Sequence, residues 1–164
     1  MFSEDVIRTL QDFKYLFRGN TKEKLKERID SQGYYCGKWE TRYITRKGRK
    51  ICYSIPITSV SLNPYTAMVY ASYRSREYKG APLVIAIPVT DKIITRIRYG
   101  QETERKHPNK IFRLNELEIL TEIFPKEVIQ IDSSNKLIEI LKQNPFYSVR
   151  ELEKNRKIFQ YFVK

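Results

Sequence analysis

Histidine is almost missing from this chain. His107 is the only one in 164 residues, and Cys36 and Cys52 are the only cysteines. Two thiols 16 residues apart, with no histidine pair to complete a ligand set, do not make a zinc site, so no metal centre is expected. One disulfide is open to them if their strands are neighbours; reduced, buried thiols are the default in a cytosol. No run of 18 apolar residues occurs, which excludes a helical membrane span. Residues 1–9 include Glu4, Asp5 and Arg8 and lack the apolar stretch of a secretory signal, so a cytoplasmic location is expected. Acidic side chains are also in deficit, 19 against 31 Lys and Arg, for a net charge of +12. That excess points to an acidic partner (nucleic acid, a nucleotide or an anionic protein surface), although a basic, soluble surface with no specific anion has the same composition. Repeats, low-complexity segments and interdomain linkers are absent, and a single domain over residues 1–164 is expected.

What is present is a folding composition. Hydrophobic residues make up 41% of the chain, enough for a core at this length. Lys, Glu, Ile and Tyr are abundant and Gln is scarce, a pattern that suits a thermophile. The organising stretch is residues 57–71, where a β-branched apolar strand breaks into a helix. Asn63 is a side-chain N-cap and Pro64 fits the first helical position, which needs no amide hydrogen. Tyr65, Met68, Val69 and Tyr73 recur at helical spacing and predict its apolar face. Ser59 and Ser61, two apart on a strand, point to one face beside a helix N-terminus. Small hydroxyls there suit a polar or anionic ligand; equally, a Ser-x-Ser before a helix is an ordinary cap and turn.

Elsewhere the chain reads as follows. A short helix is predicted over 5–13, then a strand over 14–20 that ends at Arg18-Gly19. Asn20 with Glu23 forms a capping-box pattern for a helix that stops before Gly33. Residues 34–54 read as a β-hairpin whose tip, 42–50, carries Arg42, Arg46, Lys47, Arg49 and Lys50, a candidate phosphate-contacting patch or simply a solvated turn. Residues 82–89 are a continuous apolar run, as in a central strand buried on both faces. Residues 92–99 read as a strand and 100–109 as a loop. Two more strands follow, over 112–120 and 128–131. Glu116 and Glu118 share one face of the first, either as edge charges or as a paired acid site. Beyond residue 131 the chain is helical, with Leu137, Ile138 and Leu141 on one face and a Ser148–Glu151 capping box opening a last helix.

Three motifs in this order, Arg18-Gly19, Ser59-Val60-Ser61 and Glu116-Leu117-Glu118, resemble the arginine–serine–glutamate branch of the ADP-ribosyltransferase fold, the group of cholera-like and clostridial toxins. The resemblance covers residues 14–131, with helices over 132–164 outside it. It implies an α+β fold: a split pair of small antiparallel or mixed sheets flanked by helices, with a cleft for NAD as substrate. It implies that Arg18 holds the NAD diphosphate or adjacent ribose, that Gly19 backbone bonds the nicotinamide amide, and that Ser59, with Ser61, shapes the cleft. It further implies that Glu118 is the catalytic acid on a ribose hydroxyl and that Glu116 orients the acceptor. Tyr65 is the nominated aromatic against nicotinamide, and Phe112 the nearest aromatic for the acceptor. The Glu-x-Glu form resembles members that modify protein arginine, and a short stand-alone domain of this kind fits a mobile-element, viral or toxin origin. The alternative from a different class is a nucleic-acid-binding module without chemistry, working through the basic hairpin 42–50 and its interleaved tyrosines.

Overall fold

The computed structural model describes residues 2–100 and 116–143. Residues 101–109 of the loop expected over 100–109, Phe112, the first half of the strand expected over 112–120, and the Ser148-capped last helix lie outside these residues.

Two antiparallel sheets form the frame, and one central strand explains how they are held. β4 (Pro82–Pro88) lies between β1 (Tyr15–Thr21) and β7 (Ile129–Ile131) in the first sheet. Every residue from Leu83 to Ile87 is buried, as the unbroken apolar run predicts for a strand covered on both faces. Alternate side chains enter different cores. Leu83, Ile85 and Ile87 join Leu10, Leu16, Leu25 and Tyr35, and meet Val60, Leu117 and Ile119 of the second sheet. Val84 and Ala86 join Phe17, Ala67, Met68, Leu137 and Leu141 on the opposite side. The second sheet has the order β2 (Lys38–Arg46), β3 (Arg49–Val60), β6 (Leu117–Ile119), β5 (Ile97–Tyr99).

Five α-helices accompany the sheets among the described residues: α1 (Glu4–Phe13), α2 (Lys22–Gln32), α3 (Pro64–Tyr78), α4 (Asp91–Ile94) and α5 (Ser134–Lys142). α2 ends, as expected, at Gly33 in the left-handed region. Its start differs from the expectation. Thr21 is the N-cap, its hydroxyl accepting from the Lys24 amide. Asn20 is instead buried, with Oδ1 accepting from the Thr21 amide and Nδ2 donating to the Tyr35 hydroxyl at 2.6 Å. Glu23 accepts from the Ala81 amide, so no capping box forms.

On α3 the buried face is shifted from the expected one: Met68 is buried as expected and Tyr65 partly so, but the face turns toward the small residues. Pro64, Ala67, Met68 and Ala71 point inward, whereas Val69 and Tyr73 are exposed. The cause is Gly19. A Cβ there would lie 2.1 Å from the Ala67 carbonyl oxygen and 2.4 Å from the Ala71 amide nitrogen. The helix backbone rests directly on β1, and only small residues fit in that contact. The Asn63 cap and N1 proline are as expected, with Asn63 Oδ1 accepting from the Tyr65 amide at 2.9 Å. Residues 92–99, expected as one strand, divide into α4 and β5, because Thr90 caps a helical turn at its start.

The hairpin β2–β3 is as expected. Lys47 and Gly48, both at positive φ, make the two-residue turn that joins Arg46 to Arg49. From Thr41 to Ser54 it is exposed almost throughout, so it stands out from the two cores as an arm. Cys52 lies on this arm and Cys36 is buried; both are free thiols.

Candidate functional site

Among the described residues, one backbone bridge links the edges of the two sheets. Phe17 and Ser61 exchange backbone hydrogen bonds, each 2.8 Å, between β1 and the residue just past β3. Beyond that bridge the strands belong to different sheets. The gap between them is a cavity of about 600 Å3, within the range of small-molecule sites. Arg18, Gly19, Ser59, Ser61, Glu116 and Glu118 all line it.

Arg18 follows the bridge residue on β1 and is 8% exposed, so its partners determine its position. Nε donates to the Tyr35 hydroxyl at 2.6 Å, and Nη1 reaches across the gap to the Ser59 carbonyl at 2.9 Å. The remaining guanidinium N–H groups have no acceptor among the described residues. Opposite Arg18 stands Gly37, where a Cβ would come within 2.8 Å of Nη2. The glycine therefore leaves room for the guanidinium, and its own amide is bonded to the Ile57 carbonyl at 2.9 Å.

Ser59 and Glu118 are direct cross-strand partners on β3 and β6, so their side chains share the face that looks into the cavity. The Ser59 side chain is exposed to it. Ser61 has a local task as well: its hydroxyl accepts from the Asn63 amide at 3.0 Å and shapes the turn into α3. Glu116 sits on the bend before β6, exposed, with its carbonyl accepting from the Gly100 amide. The two carboxylates thus reach the cavity from adjacent positions, one on the strand and one at its mouth.

Glu118 is 8% exposed and charge-paired. Arg98, its partner across β5–β6, donates from Nε to Oε2 at 2.8 Å. The other oxygen, Oε1, is 3.9 Å from Lys38 Nζ, an ionic contact too long for a hydrogen bond. Arg98 also donates to Glu40 at 2.8 Å, and Glu40 lies 3.7 Å from Arg42, so alternating charges run from the cavity to the base of the arm. Burial lowers the Arg98 pKa, but its hydrogen bonds to Glu118 and Glu40 outweigh that, and the net direction is upward. This network holds one carboxylate oxygen of Glu118 in place and leaves Oε1 for another donor.

Tyr65 does not line the cavity; its ring packs partly buried against the core cluster below α3. The aromatics that do line it are Phe17 of the bridge and, on α3, Tyr70, which stands with Thr66 and Arg74. These three are four apart on α3, a polar stripe legible in the sequence at i, i+4 and i+8. Arg98 left a weaker signal, since a lone arginine on a short strand has many innocent explanations.

Among the described residues no group of three or more His, Cys, Asp or Glu could hold a metal ion, and no helix is long and apolar enough to cross a membrane. Comparison of the chain with protein-family models, with curated proteins and with solved structures found no match.

Proposed function

We propose that the chain is a mono-ADP-ribosyltransferase acting on NAD. The observation that carries this reading is the convergence of Arg18, Ser59 and Glu118, distant in sequence, on one cavity where two antiparallel sheets part. The residues fit the substrate chemically. Arg18 offers several unpaired N–H groups to a phosphate, a pairing that suits a planar guanidinium. Arg74 adds a second positive charge on the cavity wall. Glu118 Oε1 is available to a ribose hydroxyl, and its carboxylate stabilises positive charge that develops at the ribose carbon.

The step conserves electrons and protons. The bond between ribose C1′ and the nicotinamide nitrogen breaks, and its electron pair leaves with nicotinamide. A nucleophilic atom of the acceptor then bonds to C1′ and gives up a proton. Glu116, exposed at the mouth, is suited to take that proton or to orient the acceptor. A protein arginine is the acceptor we favour, as in the Glu-x-Glu pattern. The test is nicotinamide release from NAD by the purified protein beside Glu118→Gln. Release that vanishes in the variant, with its melting temperature kept, supports the reading. Equal release from both proteins sinks it.

A specific feature favours a second reading, a nucleic-acid-binding module. The arm carries five cations between residues 42 and 50, with Tyr43 58% exposed and Lys50 4.2 Å from its ring centroid. Exposed aromatics interleaved with cations suit single strands, where bases stack and phosphates are neutralised.

A further inference from the structure

A second pocket, about 150 Å3, adjoins the main cavity and shares Arg18, Gly37 and Arg74 with it. Its wall carries four cations: Arg18 from β1, Lys24 and Arg28 one turn apart on α2, and Arg74 from α3. No described carboxylate lines it. Lys24 is the only one of the four with an ion pair among the described residues, to Glu27 at 3.3 Å. Arg28 and Arg74 have none. Burial first, and then the neighbouring Arg18 charge, pull the Arg74 guanidinium below its ordinary value, with Tyr35, Tyr78 and Glu77 acting in the opposite sense. A guanidinium does not escape by losing its proton, so the repulsion stays in the folded state unless an anion relieves it.

The neutral wall points the same way. The Tyr35 hydroxyl, on a residue 1% exposed, accepts from both Arg18 Nε and Asn20 Nδ2 at 2.6 Å. Both of its lone pairs are thereby used. Its own proton has no acceptor among the described residues, and a buried donor left unmatched is costly. Asn20 cannot turn over to accept it, because its Oδ1 is held by the Thr21 amide at 2.9 Å. Three guanidinium groups and one spare hydroxyl proton make a wall dominated by donors, which matches an acceptor-only ligand.

We propose that this second pocket binds a phosphate group, with Arg28 and Arg74 as its direct charged partners. Its volume suits one tetrahedral anion with water, and is well below that of sites for whole nucleotides. The identity of the molecule that bears the phosphate rests on the transferase reading; the preference for an anion does not. Within that reading the shared wall at Arg18 and Arg74 lets one ligand enter both spaces. The group is then either part of the dinucleotide's internal diphosphate or an extra phosphate on its adenosine ribose.

Calorimetric titration with inorganic phosphate tests the pocket itself. Wild-type protein and Glu118→Gln bind it, and Arg28→Gln and Arg74→Gln each weaken binding about tenfold, the usual effect of losing one charge-assisted contact. Both arginine variants melt at or above the wild-type temperature, because each loses an unpaired cation. No binding to the wild type, or equal binding to all four proteins, overturns the proposal. Titration with NAD and with its 2′-phosphorylated form separates the sources. A loss in Arg28→Gln for both dinucleotides assigns the internal diphosphate, and a loss for the phosphorylated form alone assigns the ribose phosphate. Inorganic phosphate behaving as stated while neither dinucleotide binds removes the transferase reading and leaves the anion pocket standing.

Discussion

Arg98 is the residue on which the behaviour of Glu118 turns. It holds Glu118 Oε2 at 2.8 Å and is itself held by Glu40 at 2.8 Å, so it fixes which oxygen faces the cavity. It does not line that cavity, and its role is positioning. Under the transferase reading, Arg98→Gln should lower kcat for nicotinamide release about 10- to 100-fold, the scale of a misplaced reacting group. KM for NAD should change little, since the phosphate contacts remain. A purely structural arginine would lower the melting temperature and leave kcat per folded molecule unchanged. Ser59 makes a contrasting case. Its contact to Arg18 runs through the backbone carbonyl, so Ser59→Ala keeps that hydrogen bond and removes only a hydroxyl exposed to the cavity.

Between elements, α3 rests backbone to backbone on β1 at Gly19, and this contact sets the floor of the cavity. Gly19→Ala would push a methyl carbon into backbone atoms of Ala67 and Ala71, which cannot swing aside as a side chain can. We expect a loss of about 3 kcal/mol, at the upper end of overpacking costs, measured by chemical denaturation. An unchanged stability would mean that α3 slides freely on β1. The same contact explains what the sequence did and did not disclose. The hairpin, the central strand, the Asn63-Pro64 helix start and the Gly33 stop were legible, because each depends on local chemistry: a turn, an apolar run, a cap, a left-handed residue. The inward face of α3 was not. Of Tyr65, Met68, Val69 and Tyr73, which suggested it, only Met68 is fully buried, and the helix lies so near Gly19 that Ala67 and Ala71 fill the rest of the contact. Arg18, Ser59 and Glu118 were legible as residue types in order. Their partners were not, since Tyr35 and Arg98 reach them only through pairings between separate strands and loops.

For the molecule as a whole, charge is the dominant variable, and it acts in two directions. Acid stability follows from carboxylates tied to cations. Glu127 is the clearest case: burial raises its pKa, but hydrogen bonds from Lys92 and from the Phe124 amide outweigh this and leave it below the ordinary value. A depressed folded value means stability that is fully present above the ordinary glutamate value of about 4.3 and is lost as pH falls through the lower folded value. Lys92 Nζ lies 2.8 Å from Glu127 Oε2 and bonds the Glu122 carbonyl too, so it ties α4 to the turn before β7. Glu127→Gln should therefore cost roughly 1 kcal/mol at neutral pH and flatten the acid side of the stability profile. The positive excess acts on partners instead. If the arm tracks a single-stranded nucleic acid with Arg42, Arg46, Lys47, Arg49 and Lys50, the affinity should fall with salt at a log–log slope of about −3.5, the value for five released counterions. Replacing Lys47 and Arg49 with Gln should bring that slope to about −2 without moving the melting temperature, since both side chains are exposed at the tip. A slope near zero, or one indifferent to the two substitutions, would leave the tip as a solvated turn. The salt series thus decides whether nucleic acid is among the partners that a +12 chain leaves open.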